Sequence, residues 1–159
     1  MGRAIVVANQ KGGVGKTTTA INLAACLAEA GQKVLAIDMD PQGNMTSGLG
    51  VDKDAIENTV YELLLGEVTV EECIQENVIE NLSVIGSNIN LSAAEIELIG
   101  QEEKEYILQK AVEPIRKNYD FIIIDCPPSL SMLTINSMCL ADTVLVPIQC
   151  EYYALEGLT

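Results

Sequence analysis

Short, nearly unbroken apolar runs recur along the chain, separated by stretches of helical spacing and by clusters of turn-forming residues. The runs are Ala4-Ile5-Val6-Val7-Ala8, Lys33–Asp38, Leu82–Gly86, Phe121–Asp125 and Thr143–Ile148. Their continuous rather than alternating apolar character predicts strands covered on both faces. Helical spacing predicts a first helix that opens near Lys16, runs through Ala20–Leu27 and is ended by Gly31. Further helices are expected over Thr59–Leu65, Val70–Gln75, Ala93–Ile99, Gln101–Asn118 (with Pro114 kinking or ending part of it) and Leu133–Ala141. Another is expected to begin within Glu151–Thr159. Strands alternating with helices predict an α/β fold with a mainly parallel, twisted sheet and helices on both faces, in a single domain over residues 1–159.

Composition narrows this picture. Hydrophobic residues make up 48% of the chain, which suits a packed core and excludes wholesale disorder. No apolar run approaches the length of a membrane span, and the N-terminus lacks the layout of a secretory signal. Gly2 follows Met1, but Val6 stands where a myristoylation signal needs Ser or Thr. The expectation is a cytoplasmic protein. The five cysteines are scattered without a C-x-x-C pair, and there is no histidine. Histidine-dependent nucleophilic triads and histidine-ligated zinc are therefore excluded, and the cysteines read as reduced thiols. The net charge of −14 is concentrated between Val51 and Glu105, where 14 acidic residues face two lysines. Such a surface repels nucleic-acid phosphate and anionic lipid, and reads first as the solvated face of small helices.

The chemistry lies in Asn9-Gln10-Lys11-Gly12-Gly13-Val14-Gly15-Lys16-Thr17-Thr18-Thr19, between the first strand and the first helix. Strand, glycine-rich turn and helix form the context in which a phosphate loop acts. Glycines let successive N–H groups converge on one anion, and the helix adds its free N–H groups and its dipole. Lys16 supplies a mobile positive charge for β- and γ-phosphates, and the Thr17 hydroxyl is placed to ligate Mg²⁺. The general pattern wants glycine at position 10, where this chain has Gln10 followed by a second lysine, Lys11. Asp125, ending an apolar strand, fits the acid that holds the metal or its waters. Asp38 and Asp40 are harder to separate. One division has Asp40 positioning the attacking water and Asp38 supporting either Mg²⁺ or the loop. A nicotinamide-binding fold is rejected, because Thr18 stands where its fingerprint needs a small residue and Lys16-Thr17 would be unexplained.

Gln10–Thr18 resembles the deviant Walker A box of the ParA/MinD ATPases, whose mark is the extra lysine at the start of the loop. Asp38-Met39-Asp40-Pro41-Gln42-Gly43-Asn44, Asp125-Cys126-Pro127-Pro128-Ser129-Leu130 and Gln149–Leu158 narrow the resemblance to the chromosome-partitioning branch called Soj. The resemblance implies a P-loop fold and an Mg²⁺-dependent ATPase that dimerises face to face around two ATP molecules. It implies that Lys11 reaches the partner's phosphates, while Gly12, Gly13, Val14, Gly15, Lys16, Thr17 and Thr18 cradle the nucleotide, with Thr18 at the α-phosphate. It further implies Asp40 orienting water, Asp125 holding the metal's water shell, a ParB/Spo0J-type stimulating partner and non-specific DNA binding by the full-length, nucleoid-associated protein. Such proteins are longer, so the chain is expected to stop before the last strands, the adenine pocket and the DNA-binding residues. A MinD-like membrane-associated regulator shares the loop and is the alternative. A relative of the nitrogenase iron protein fits poorly, since Cys126 beside Asp125 does not match that family's spacing.

Overall fold

In a computed structural model, the chain is described over residues 2–9 and 15–148. β1 (Arg3–Val7), β2 (Val34–Asp38), β4 (Leu82–Ile85), β5 (Phe121–Asp125) and β6 (Thr143–Leu145) are joined by β3 (Ile74–Ile79) in one sheet ordered β3-β4-β2-β5-β1-β6. All neighbours pair in parallel except β3, which runs antiparallel to β4. The helices are α1 (Lys16–Glu29), α2 (Asn44–Gly48), α3 (Val60–Leu64), α4 (Val70–Cys73), α5 (Ala94–Glu97), α6 (Ile107–Val112) and α7 (Met132–Leu140).

The apolar runs explain the layering. Along β5, Ile122 and Ile124 join the core beneath α3, α5, α6 and α7, while Ile123 faces the opposite core beneath α1 and α2. Period-two alternation therefore buries all three isoleucines of the run, each worth about 1.5–3 kcal/mol. Ala20, Ala24 and Ala28, spaced four apart, form the buried stripe of α1 and let that helix lie close against the sheet. The expected doubly covered parallel sheet is what the chain forms.

Three expectations need correction. Val70–Gln75 is not one helix: α4 ends at Cys73 and the chain turns directly into β3. β3 carries Gln75, Glu76 and Asn77, is largely solvent-facing and contains a register irregularity, so it lacks the apolar signature of the inner strands. Its hairpin pairing with β4, through Asn81 in the left-handed region, holds it instead. Gln101–Asn118 likewise divides into a 3-10 turn at Lys104–Tyr106, α6, and a 3-10 segment at Glu113–Asn118 with Pro114 near its start. The last strand stops at Leu145, short of Ile148, and Val144 and Leu145 on this edge are exposed. The helix expected within Glu151–Thr159 lies outside the described residues. Among the described residues no helix is long and apolar enough to cross a membrane.

The start of β1, and with it the approach to the glycine-rich loop, is anchored by one buried arginine. Arg116 donates from Nε to the Gly2 carbonyl at 2.8 Å and from Nη2 to Asp142 at 2.5 Å, and the same Asp142 oxygen accepts the Ala4 N–H at 2.9 Å. The Ala4 N–H and then the Arg116 guanidinium hold the Asp142 carboxyl below its ordinary value. Its contribution to stability is therefore present above the unfolded-state value and is lost as pH falls through the folded one. Asp142→Asn should cost about 1 kcal/mol near neutral pH, because the carboxylate is half exposed and water replaces part of the loss. Denaturant titrations of both proteins should converge as the solution is acidified below the ordinary carboxylate range; a gap independent of pH would refute the linkage.

Candidate functional site

Three parallel strands end side by side. Val7 of β1 and Asp38 of β2 are both in register with Asp125 of central β5. β1 leads into the glycine-rich loop and α1 leaves it, so the start of α1 lies over the carboxyl edge of the sheet, the place where such sheets bind ligands. Gly15 precedes α1 in the left-handed conformation (φ +77°), which explains glycine at that position.

Lys16 is buried, and its Nζ donates to Asp125 Oδ1 at 3.0 Å. Thr17 Oγ1 donates to the other oxygen, Asp125 Oδ2, at 2.8 Å. Asp40 Oδ2 stands 3.9 Å from the same ammonium group. Burial raises the Asp125 carboxyl above its ordinary value, while Lys16 and Thr17 pull it back toward ionisation and Asp40 opposes them. One buried cation thus sits among carboxylates that outnumber it, an arrangement that favours a further cation.

Asp38 is fully buried and turns elsewhere. Its Oδ2 accepts the Thr46 N–H at 2.9 Å and the Thr46 hydroxyl at 2.7 Å, and its Oδ1 accepts the Asp40 N–H at 3.1 Å. Of the two roles open to it from sequence, support of the loop is the one this geometry displays; its oxygens are spent on protein donors rather than joined to Thr17. Burial pushes its carboxyl up to about 7, against the pull of the Thr46 hydrogen bonds. Thr46 and Ser87, absent from the sequence reading, complete this network, with the Ser87 N–H on Thr46 Oγ1 at 3.0 Å and the Ser87 hydroxyl on the Asp40 carbonyl. A signal for Ser87 was available, since it follows a strand run at the sheet's ligand-binding edge.

Thr18 is exposed in the first turn of α1, whereas Lys11, Gly12, Gly13 and Val14 lie outside the described residues. Thr17 Oγ1 and Asp125 form a hard-oxygen pair beside a lysine, the donor chemistry that suits Mg²⁺ shared with phosphate oxygens. The described residues contain no cluster of three or more Cys, Asp or Glu that could hold a metal ion. Cys126 is fully buried, donates to the Val7 carbonyl and has its thiol pushed up to about 11 by burial, which makes it a small core residue rather than a cluster ligand.

The raised Asp38 value has a testable sign. A carboxyl whose folded-state value exceeds its unfolded one stabilises the fold below the unfolded value, and that contribution disappears as pH rises through about 7. Each unit of the rise is worth at most about 1.4 kcal/mol. Thermal unfolding of the ligand-free protein should therefore show Asp38→Asn flattening the fall in stability between acidic and neutral pH; curves that stay parallel would show that Asp38 does not carry it.

The chain is similar to known proteins over nearly its whole length. A family profile described as AAA domain matches residues 2–159. The sporulation initiation inhibitor protein Soj of Bacillus subtilis is 54% identical over 100% of this chain and 63% of its own length. The chromosome partitioning protein ParA of Myxococcus xanthus is 53% identical over 100% of this chain and 56% of its own. The chain thus spans about three-fifths of the length of the curated relatives it matches. A crystal structure named cobyrinic acid a,c-diamide synthase, from Mycobacterium smegmatis with bound ATP analogue and magnesium, superposes with a TM-score of 0.93 at 43% identity, covering 97% of this chain and 63% of that one. With the P-loop architecture, the lysine–threonine–aspartate cluster and the match over nearly every residue in agreement, the chain belongs to the ParA-like AAA domain family.

Proposed function

We propose that this chain is the nucleotide-binding part of a Soj/ParA-like partition ATPase, which binds ATP with Mg²⁺, hydrolyses it and acts in chromosome or plasmid segregation. The observation that carries the reading is the convergence of Lys16 Nζ and Thr17 Oγ1 on the two oxygens of Asp125, with Asp40 beside the same ammonium. The identity of 53–54% to proteins named for sporulation control and chromosome partitioning supports the biological role. The ATP-analogue complex of the structural neighbour supports the ligand.

In this reading, ATP exchanges one set of partners for another. Lys16 leaves Asp125 for the β- and γ-phosphates, where its ammonium offsets the charge of the transferring group. When bound, Mg²⁺ would be held by the Thr17 hydroxyl and, directly or through water, by Asp125, and would neutralise phosphate charge. Asp40 accepts a hydrogen bond from the attacking water and aims its oxygen at the γ-phosphorus; a P–O bond to water forms as the bond to the ADP oxygen breaks. Thr18 contacts the α-phosphate, and residues 12–15 supply backbone N–H groups. Lys11 reaches the phosphates of a second copy in an ATP-dependent homodimer, acting as an arginine finger does. A ParB/Spo0J-type protein stimulates turnover. Non-specific DNA contact by the full-length protein would not run through this segment, whose net charge of −14 repels DNA phosphate. The protein is cytoplasmic and associates with the nucleoid through that contact.

Two substitutions separate binding from chemistry in the full-length protein. Lys16→Ala should weaken ATP binding by about 10- to 100-fold, the loss expected of a charge-assisted contact. Asp40→Ala should leave the ATP dissociation constant within a few-fold of the parent, trap the ATP-bound dimer and lower kcat by about 100-fold or more. Calorimetry, size-exclusion chromatography with ATP and phosphate release measure these effects; an Asp40→Ala protein that turns over like the parent would overturn the assignment.

A further inference from the structure

Asp40 lies in a loop, yet its peptide is fixed at both ends. Its N–H donates to Asp38 Oδ1 at 3.1 Å, and its carbonyl accepts both the Gly43 N–H at 2.9 Å and the hydroxyl of Ser87. Ser87 follows β4 and is fully buried; its own N–H donates to Thr46 Oγ1 at 3.0 Å, and that hydroxyl in turn donates to Asp38 Oδ2 at 2.7 Å. The four residues Asp38, Thr46, Ser87 and Asp40 therefore close a ring of hydrogen bonds through the Asp40 backbone. With Asp38 ionised, the single Thr46 proton goes to the carboxylate, leaving the Thr46 oxygen free to accept from the Ser87 N–H.

The ring is tight as well as closed. Gly43 is left-handed (φ +66°), and a Cβ there would come within 2.9 Å of the Ser87 carbonyl oxygen. A Cβ on Gly86 would come within 3.0 Å of Thr46 Cγ2. Loop, α2 and the end of β4 are thus pressed together with no slack beneath Asp40. Among the described residues, the side-chain hydrogen bonds of Thr46 and Ser87 go to Asp38, to the Asp40 carbonyl and to each other rather than to Lys16, Thr17 or Asp125. What they touch is the backbone that carries Asp40, whose carboxylate stands 3.9 Å from Lys16.

We infer that Thr46 and Ser87 are positioning residues for hydrolysis, clamping the Asp40 peptide so that its carboxylate is held at the reacting end of the nucleotide. The inference rests on the hydrolytic reading of Asp40 given above. Hydrolysis is sensitive to small errors of aim, and a displacement on the order of 1 Å can cost about 100-fold. In the proposed reading ATP affinity comes mainly from the phosphate loop and Lys16, whereas the hydrogen bonds of the clamp join Asp38, Thr46, Ser87 and Asp40. A loosened clamp should therefore lower kcat and spare binding.

The test is made in the full-length protein with Thr46→Val, Thr46→Ser, Ser87→Ala and Asp40→Ala, reading ATP affinity, kcat, melting temperature and amide exchange at residues 40–44. Ser87→Ala and Thr46→Val are expected to lower kcat by about 10- to 100-fold with ATP affinity changed less than threefold. Thr46→Ser, which keeps the hydroxyl, should retain most of the turnover. Adding Ser87→Ala to Asp40→Ala should cost nothing further, because the clamp acts only through Asp40. Loss of ATP affinity in step with kcat, or parental kcat in folded Ser87→Ala, would sink the clamp while Asp40→Ala still abolished turnover. Parental turnover in Asp40→Ala, or no turnover by the parent, would instead sink the hydrolytic reading. Amide exchange then judges the clamp alone: at least tenfold faster exchange at residues 40–44 in Ser87→Ala supports it, and unchanged protection refutes it.

Discussion

The buried ammonium group of Lys16 organises the carboxyl edge of this sheet. Lys16 has left water, and a charge so placed must be paired. Asp125 pairs with it, and Asp125 occupies that point because β5 is the central strand, flanked in register by β1 and β2. The same pairing draws the first turn of α1 down onto the sheet, with Thr17 completing the second oxygen of the carboxylate. Breaking it would strand a desolvated charge, so the ligand that takes Lys16 away has to bring equivalent negative charge with it. A triphosphate does so, and the cation that accompanies it answers the need of the carboxylate left behind.

Around this pair the fold divides its carboxylates by environment. Asp125 faces the lysine and hydroxyl of α1, Asp40 faces the same lysine from a loop, and Asp38 is consumed by Thr46 and the Asp40 peptide. Three aspartates at neighbouring strand ends thus do three different things, because the donors within reach of each differ. The loop that bears Asp40 has little helical or strand structure of its own. Its order comes from outside, from α2 and from the residue that follows β4.

The phosphate-handling part of this architecture is common to proteins of quite different names, from chromosome partitioning to cobyrinic acid diamide synthesis. A phosphate cradle is a device that several activities can use.

The layered sheet, the inner strands and the Lys16–Thr17–Asp125 constellation could be read from the chain alone. Strands buried on both faces are written as continuous apolar runs, and a glycine-rich turn before a helix has few other uses. The edge strand β3 could not be read, because a solvent-facing strand needs no apolar face and depends on its hairpin partner. The break of Gln101–Asn118 into one short helix and two 3-10 segments was equally hidden, since Pro114 marks a disturbance without saying how far it extends. The separate tasks of Asp38 and Asp40 were also beyond the sequence: two residues apart in a turn, they differ only in which donors lie near them. Those donors, Thr46 and Ser87, come from α2 and from beyond β4. Local chemistry thus set the elements, while long-range packing alone decided which of Asp38 and Asp40 faces Lys16 and which is taken up by Thr46.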